Sequence, residues 1–135
     1  MDSKNSNNVL IVDDDVNILS LFKEFLTEHG YNIFVADNAK DALDIVKATS
    51  IPVIYLDLQM PEMTGIELCK EIRKFNQLTW ICAITGANSL FEISKAREAG
   101  FDDYFAKPID MAVLNHNTAE SFNRFFRWKQ QIERM

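Results

Sequence analysis

The chain has 135 residues, 47% hydrophobic and 25% charged, with a formal net charge of -6 and a pI near 4.8. That length closes one sizeable core rather than two, the composition is globular, and no apolar run reaches bilayer-spanning length, so no membrane insertion is expected. An acidic body without clustered Lys and Arg is not built to grip a phosphate backbone, so no direct nucleic-acid partner is expected.

Residues 1–8, MDSKNSNN, are polar, precede no apolar core of signal-peptide length, and read as a loose N-terminal arm on a cytoplasmic protein. From there two periods alternate. NVLIVD (Asn8 to Asp13) reads as a strand, followed by Asp14 and Asp15 and by a helix with Val16, Leu19, Phe22 and Leu26 on one face; Asp15 suits its N-cap. Gly30 falls just past that helix, where a left-handed residue is wanted. YNIFVA (Tyr31 to Ala36) is a second strand, and Ala39, Ala42, Leu43 and Val46 share a face of the second helix.

PVIYLD (Pro52 to Asp57) is apolar until Asp57, which stands directly behind the run. Thr64 to Glu67 matches a capping box ahead of a third helix with Ile66, Cys69 and Ile72 on one face. WICAIT (Trp80 to Thr85) is the fourth strand, Ser89 to Glu92 a second capping box, Gly100 the stop of the fourth helix, and DYFAK (Asp103 to Lys107) the fifth strand. Cys69 and Cys82 lack metal-site spacing and read as core thiols. Met111, Leu114, Thr118, Phe122, Phe125 and Ile132 form one stripe, predicting a last helix from about Asp110 to Ile132. At 1.5 Å per residue it is roughly 33 Å long, against about 17 to 20 Å for a five- or six-residue strand. The final turns should outrun the sheet. Phe126 and Trp128, framed by Arg124, Arg127, Lys129 and Arg134, then either form a contact surface for a homodimer or fold back over the core.

Five strands alternating with five helices give an α/β (βα)5 chain, and strands apolar throughout imply a doubly wound five-stranded parallel sheet covered on both faces. Sites in such sheets lie beyond the carboxyl ends of the strands, where strand order reverses. The residues there are Asp13 and Asp14 after the first strand, Asp57 after the third, Thr85 after the fourth and Lys107 after the fifth. Two carboxylates about 4 Å apart repel by roughly 4 kcal/mol at an effective dielectric of 20, so positive charge must sit among them. Lys107 supplies one, and gathered hard oxygens suit Mg2+. On this reading Asp57 is the nucleophile for a phosphoryl group, Asp13 and Asp14 hold the metal, Lys107 and Thr85 contact phosphoryl oxygens, and Gly86 leaves room for them. Taken singly, each has a plainer reading: Asp14 as a helix cap, Asp57 as an Asx-turn, Thr85 and Lys107 as strand-end residues. Those readings do not explain complementary chemistry on one edge.

VLIVDDD, VIYLDLQMPEMTGIEL, AITGA and DDYFAKPI, in this order, resemble the receiver domain of bacterial two-component response regulators over roughly Asn8 to Phe125. The resemblance implies a flavodoxin-like fold with strand order 2-1-3-4-5, a receiver domain over 9–125, and residues 126–135 as an extension of the last helix. It puts the phosphoacceptor on Asp57, the metal-binding acids on Asp13, Asp14 and Asp57, a metal-binding backbone carbonyl on Gln59, the lysine on Lys107, and the switch pair on Thr85 and Tyr104. It also puts an often-cis peptide at Lys107-Pro108 and positions that tune phosphoryl lifetime at Gln59 and Ala87. It further implies a phosphoacceptor rather than a turnover enzyme, signalling through helix 4, strand 5 and helix 5 to a downstream protein. His29 and His116 lie away from the rim, so a sensor histidine kinase or histidine phosphotransfer protein would supply the phosphoryl group, or a small-molecule donor. A pseudo-receiver with a vestigial rim and a flavodoxin-like phosphatase are the alternatives; Gln59, standing where such a phosphatase would carry its acid, speaks against the second.

Overall fold

A computed structural model describes residues 6–86 and 90–135. Ala87 and the Ser89 end of the second capping box lie outside the described residues, as do the first five residues of the polar arm. The elements follow the predicted alternation: β1 (Asn8–Val12), α1 (Val16–Glu28), β2 (Asn32–Ala36), α2 (Ala39–Ala48), β3 (Val53–Leu56), α3 (Gly65–Arg73), β4 (Trp80–Thr85), α4 (Leu90–Ala99), β5 (Asp103–Ala106) and α5 (Met111–Glu133). Four strands are shorter than expected: β1, β3 and β5 end just before Asp13, Asp57 and Lys107, and β2 and β3 begin after Tyr31 and Pro52.

All pairings are parallel and the order is β2-β1-β3-β4-β5, so the reversal falls between β1 and β3. β1, β3 and β4 are almost wholly buried, as continuous apolar runs require in a sheet covered twice. One core packs Leu10, Ile54, Leu56 and Ile81 against α2, α3 and α4; the other packs Val9, Ile11, Tyr55 and Ile84 against α1 and α5. Cys69 and Cys82 are both buried thiols. Burial pushes the Cys69 thiol up to about 11 and Cys82 to about 12, so neither is a ready nucleophile.

Local signals account for the boundaries. Asp15 caps α1 by accepting from Asn17 N, Thr64 and Glu67 form the reciprocal capping box of α3, and Asp110 caps α5. Gly30 and Gly100 adopt φ of 95° and 110°, a region that a Cβ disfavours. Beneath the sheet, α5 presents hydroxyls and an amide: Tyr55 Oη lies 2.7 Å from Thr118 Oγ1 and accepts from Asn117 Nδ2 at 3.0 Å. Burial raises the Tyr55 hydroxyl well above its usual range, so it stays protonated.

One predicted helix face needs correction, and the end of the last stripe is exposed. Val16 is 59% exposed, because the core-facing side of the first turn of α1 is taken by Ile18, which packs against the second core. Ile132 is 49% exposed although it continues the stripe of Leu114, Thr118, Phe122 and Phe125. α5 outruns the sheet, so its stripe meets solvent after Phe125. Phe126 folds back onto Phe122 and Phe125, whereas Trp128 stays 59% exposed.

Candidate functional site

The last rung of the ladder delivers each rim residue. Asp57 N donates to Val12 O at 2.9 Å, Asp13 N to Ala36 O at 3.2 Å, and Lys107 N to Thr85 O at 2.9 Å. Strands rather than loops therefore set these backbones, and the side chains project beyond the carboxyl edge between β1, β3 and β5. Thr85 is fully buried at the end of β4, its Cα in register with Ala106. Lys107-Pro108 is cis.

The two buried carboxylates are held in the same way. Asp13 Oδ1 accepts from Asp15 N and Asp57 Oδ1 from Gln59 N, each a two-residue Asx-type turn. Their Oδ2 atoms share one ammonium: Lys107 Nζ lies 2.8 Å from Asp13 and 3.1 Å from Asp57. The turn reading of Asp57 and its pairing with Lys107 thus coexist, one oxygen apiece. Asp13 and Asp57 are only 3% and 5% exposed. Burial pushes the Asp13 carboxyl above its usual range, against the pull of Lys107 and the Asp15 N–H. Burial alone would lower Lys107, but its hydrogen bonds and charge interactions with the two carboxylates more than reverse this and leave it raised, so the lysine stays charged at neutral pH.

Asp14 is exposed, yet it offers a carboxylate oxygen to the same point: one oxygen from each of Asp13, Asp14 and Asp57 lies within 4.8 Å of the others. Three hard anionic oxygens at that spacing fit a small divalent cation, and a thiophilic metal would find no sulfur or imidazole among them. Gln59 is exposed and lines a cavity of about 490 Å³ with Asp14, Met60, Thr64 and Glu92. Tyr104 is not on the rim. It half-buries its ring beside Ile93, Ala96 and Phe101 in a groove between α4 and β5. Burial and then the charge of Glu92 raise its hydroxyl.

Two residues of this neighbourhood escaped the sequence reading. Glu92 shows there only as a capping-box partner, although α4 carries it to the cavity beside Asp14. Gly65 opens α3, and a Cβ there would collide with the Asp57 carbonyl oxygen. Its signal was a glycine at a helix start, where alanine is the better helix former. Conversely, a Cβ on Gly86 would meet nothing within 4 Å among the described residues, so packing against those residues does not require glycine there.

Strand order and rim together define a doubly wound α/β domain with an acid-lysine cluster at its topological switch point. Residues 9–119 match the response regulator receiver domain, and the chain belongs to that family. Its relatives include the uncharacterized transcriptional regulatory protein YrkP of Bacillus subtilis, 33% identical over 93% of this chain and 53% of that protein. CpxR of Escherichia coli K12, a transcriptional regulatory protein, is 38% identical over 77% of this chain and 44% of its own length. The chain thus spans about half the length of these curated relatives. A CheY-like receiver domain protein from Methanospirillum hungatei superposes with a TM-score of 0.87 at 28% identity, covering 91% of this chain and 98% of that one.

Proposed function

We propose that this receiver domain accepts a phosphoryl group on Asp57 and relays its arrival as a change of shape. The observation that carries the reading is the bridge from Lys107 Nζ to Asp13 Oδ2 and Asp57 Oδ2 beside the exposed Asp14 carboxylate. Asp57 is held against rotation by Gln59 N on one oxygen and Lys107 on the other. A carboxylate accepts through two oxygens and about four lone-pair sites, so it keeps a pair with which to attack phosphorus. The O–P bond forms as the donor's P–N or P–O bond breaks, and the electron pair leaves with the donor. On this reading Lys107 and Thr85 pair with phosphoryl oxygens. Asp13, Asp14, Asp57 and the Gln59 backbone carbonyl would hold Mg2+, which when bound would neutralise charge on the incoming group. Because burial raises Asp13, cation uptake should begin to fail above the ordinary aspartate value of about 3.9 as pH falls.

The domain is on this reading a phosphoacceptor rather than a turnover enzyme, fed by a sensor histidine kinase or a histidine phosphotransfer protein. Thr85 and Tyr104 are proposed to carry the response to α4, β5 and α5, where Leu90 and Phe91, 80% and 68% exposed, give a downstream protein an apolar surface. YrkP and CpxR are named as transcriptional regulatory proteins, so the downstream event is proposed to be transcriptional, with the net charge of -6 supporting a protein rather than nucleic-acid contact for this domain. No described helix is long and apolar enough to cross a membrane, and a cytoplasmic location fits the kinase partner. Intact mass after incubation with acetyl phosphate and Mg2+ tests the proposal. One phosphoryl adduct is expected, absent in Asp57→Asn, with amide resonances of α4 and β5 shifting in the wild type alone. Steady turnover of acetyl phosphate would instead indicate a phosphatase, and no adduct a vestigial rim.

Trp128 and Ile132, flanked by Arg127 and Arg134, support self-association through the end of α5. Sedimentation of the chain should show a dimer that Trp128→Ala weakens; a monomer at all concentrations would remove this role.

A further inference from the structure

The first turn of α3 bears on the backbone of Asp57. A Cβ on Gly65 would overlap the Asp57 carbonyl oxygen and stand 2.8 Å from Leu58 Cα and 2.9 Å from the Asp57 carbonyl carbon, distances that real Cβ atoms do not show. Gly65 is buried, and its N–H donates to Leu58 O at 3.0 Å. Alanine is the better helix former. Glycine therefore answers to the approach and not to the helix.

A methyl group at this position would have to displace one of two parties. α3 is fixed along its length: Leu68, Cys69 and Ile72 are fully buried, and at its far end Arg73 donates to the carbonyls of Asn76, Thr79 and Gly100. The Asp57–Leu58 peptide lies just past the end of β3, where the ladder stops. α3 is held at more points, so that peptide is the one expected to move. Asp57 Oδ1 accepts from Gln59 N two residues on, so turning that peptide turns the carboxylate.

We propose that Gly65 is a positioning residue for Asp57: its missing side chain lets α3 press on the Asp57–Leu58 peptide, and this contact sets the aim of the carboxylate. The proposal rests on Asp57 as phosphoacceptor only for its effect on rate. In metal-free, 15N-labelled Gly65→Ala, the Gln59 amide resonance is expected to move, while the Asp15 amide, which reports on Asp13, stays in place. Adduct formation at saturating Mg2+ and acetyl phosphate should fall about tenfold or more, since misplacement by an ångström is that costly. Ile72→Val, which removes one buried methylene from α3 without touching Asp57, should keep both the resonance and the rate. A wild-type Gln59 amide and rate in Gly65→Ala would overturn the proposal, as would equal losses in Ile72→Val. A shifted Gln59 amide in a protein whose wild type forms no adduct would uphold the positioning and overturn only the function. Should Gly65→Ala unfold, about 1 M trimethylamine N-oxide, which favours the compact state, restores the comparison.

Discussion

Lys107→Met is expected to leave the metal-free protein less stable by about 2 to 4 kcal/mol, a loss that Mg2+ reverses more fully than it stabilises the wild type. The lysine is the cation between two carboxylates that are 3% and 5% exposed, and methionine keeps most of its length without the charge. With the ammonium gone, the Asp13 and Asp57 oxygens repel through a partly desolvated gap, at roughly 4 kcal/mol for unit charges about 4 Å apart in an effective dielectric of 20. Exposure of 23% on the lysine side keeps the cost below that of a fully buried pair. The same change removes a competitor for the acidic oxygens, so Mg2+ should bind about tenfold tighter, worth about 1.4 kcal/mol. Adduct formation should nevertheless slow by about tenfold or more at saturating Mg2+, because Asp57 loses one of its two restraints and the phosphoryl group loses a counter-charge. Urea unfolding with and without Mg2+ measures the first effect and calorimetric titration the second. Unchanged Mg2+ affinity would mean that Lys107 does not compensate the rim.

Arg73→Met should cost about 2 to 4 kcal/mol in urea unfolding while leaving the rim chemistry intact. The guanidinium makes five hydrogen bonds: Nε and Nη2 to Gly100 O, Nη1 to Asn76 O and Thr79 O, and Nη2 to Asp102 Oδ2 at 2.9 Å. It ties the end of α3 to the loops before β4 and β5, at the edge opposite the rim. Removing it strips carbonyl oxygens of partners and leaves Asp102 with Ile81 N alone among its described donors. The pair is 17% and 26% exposed, so the loss stays below that of a sealed one. Burial already pushes Asp102 above its usual range, opposed by Ile81 N–H and Arg73. In the variant part of that opposition goes, and the folded-state value rises further. A carboxyl raised on folding binds its proton more readily in the folded state, so acidification through that value favours folding. The deficit of Arg73→Met should therefore be largest at neutral pH and shrink as the solution is acidified; a constant deficit would assign the loss to packing alone.

Much of this architecture was legible in one dimension. The burial of β1, β3 and β4 on both faces follows from runs such as Val53 to Leu56, and the caps at Asp15 and Thr64 are local contacts between residues two or three apart. Asp13, Asp57 and Lys107 could be placed on one rim because parallel strands share a carboxyl end. The family match, over residues 9–119, covers all of the separated motifs.

Chain-local chemistry thus determined which segments are strands or helices, where most of them end, and which side chains gather beyond the sheet. Tertiary structure alone decided that Lys107 bridges Oδ2 of Asp13 and Oδ2 of Asp57, that burial lifts Asp13, that Gly65 abuts Asp57, and that Arg73 holds loops as far as 29 residues away. It also decided that Val16 faces solvent. The reason is common to all of them. Periodicity reports which side of an element a residue occupies, but not how far the opposing surface extends or which backbone comes to meet it. Those follow from strand register and helix docking, and backbone carbonyls, the partners of Arg73, leave no mark in the identity of the residues that carry them.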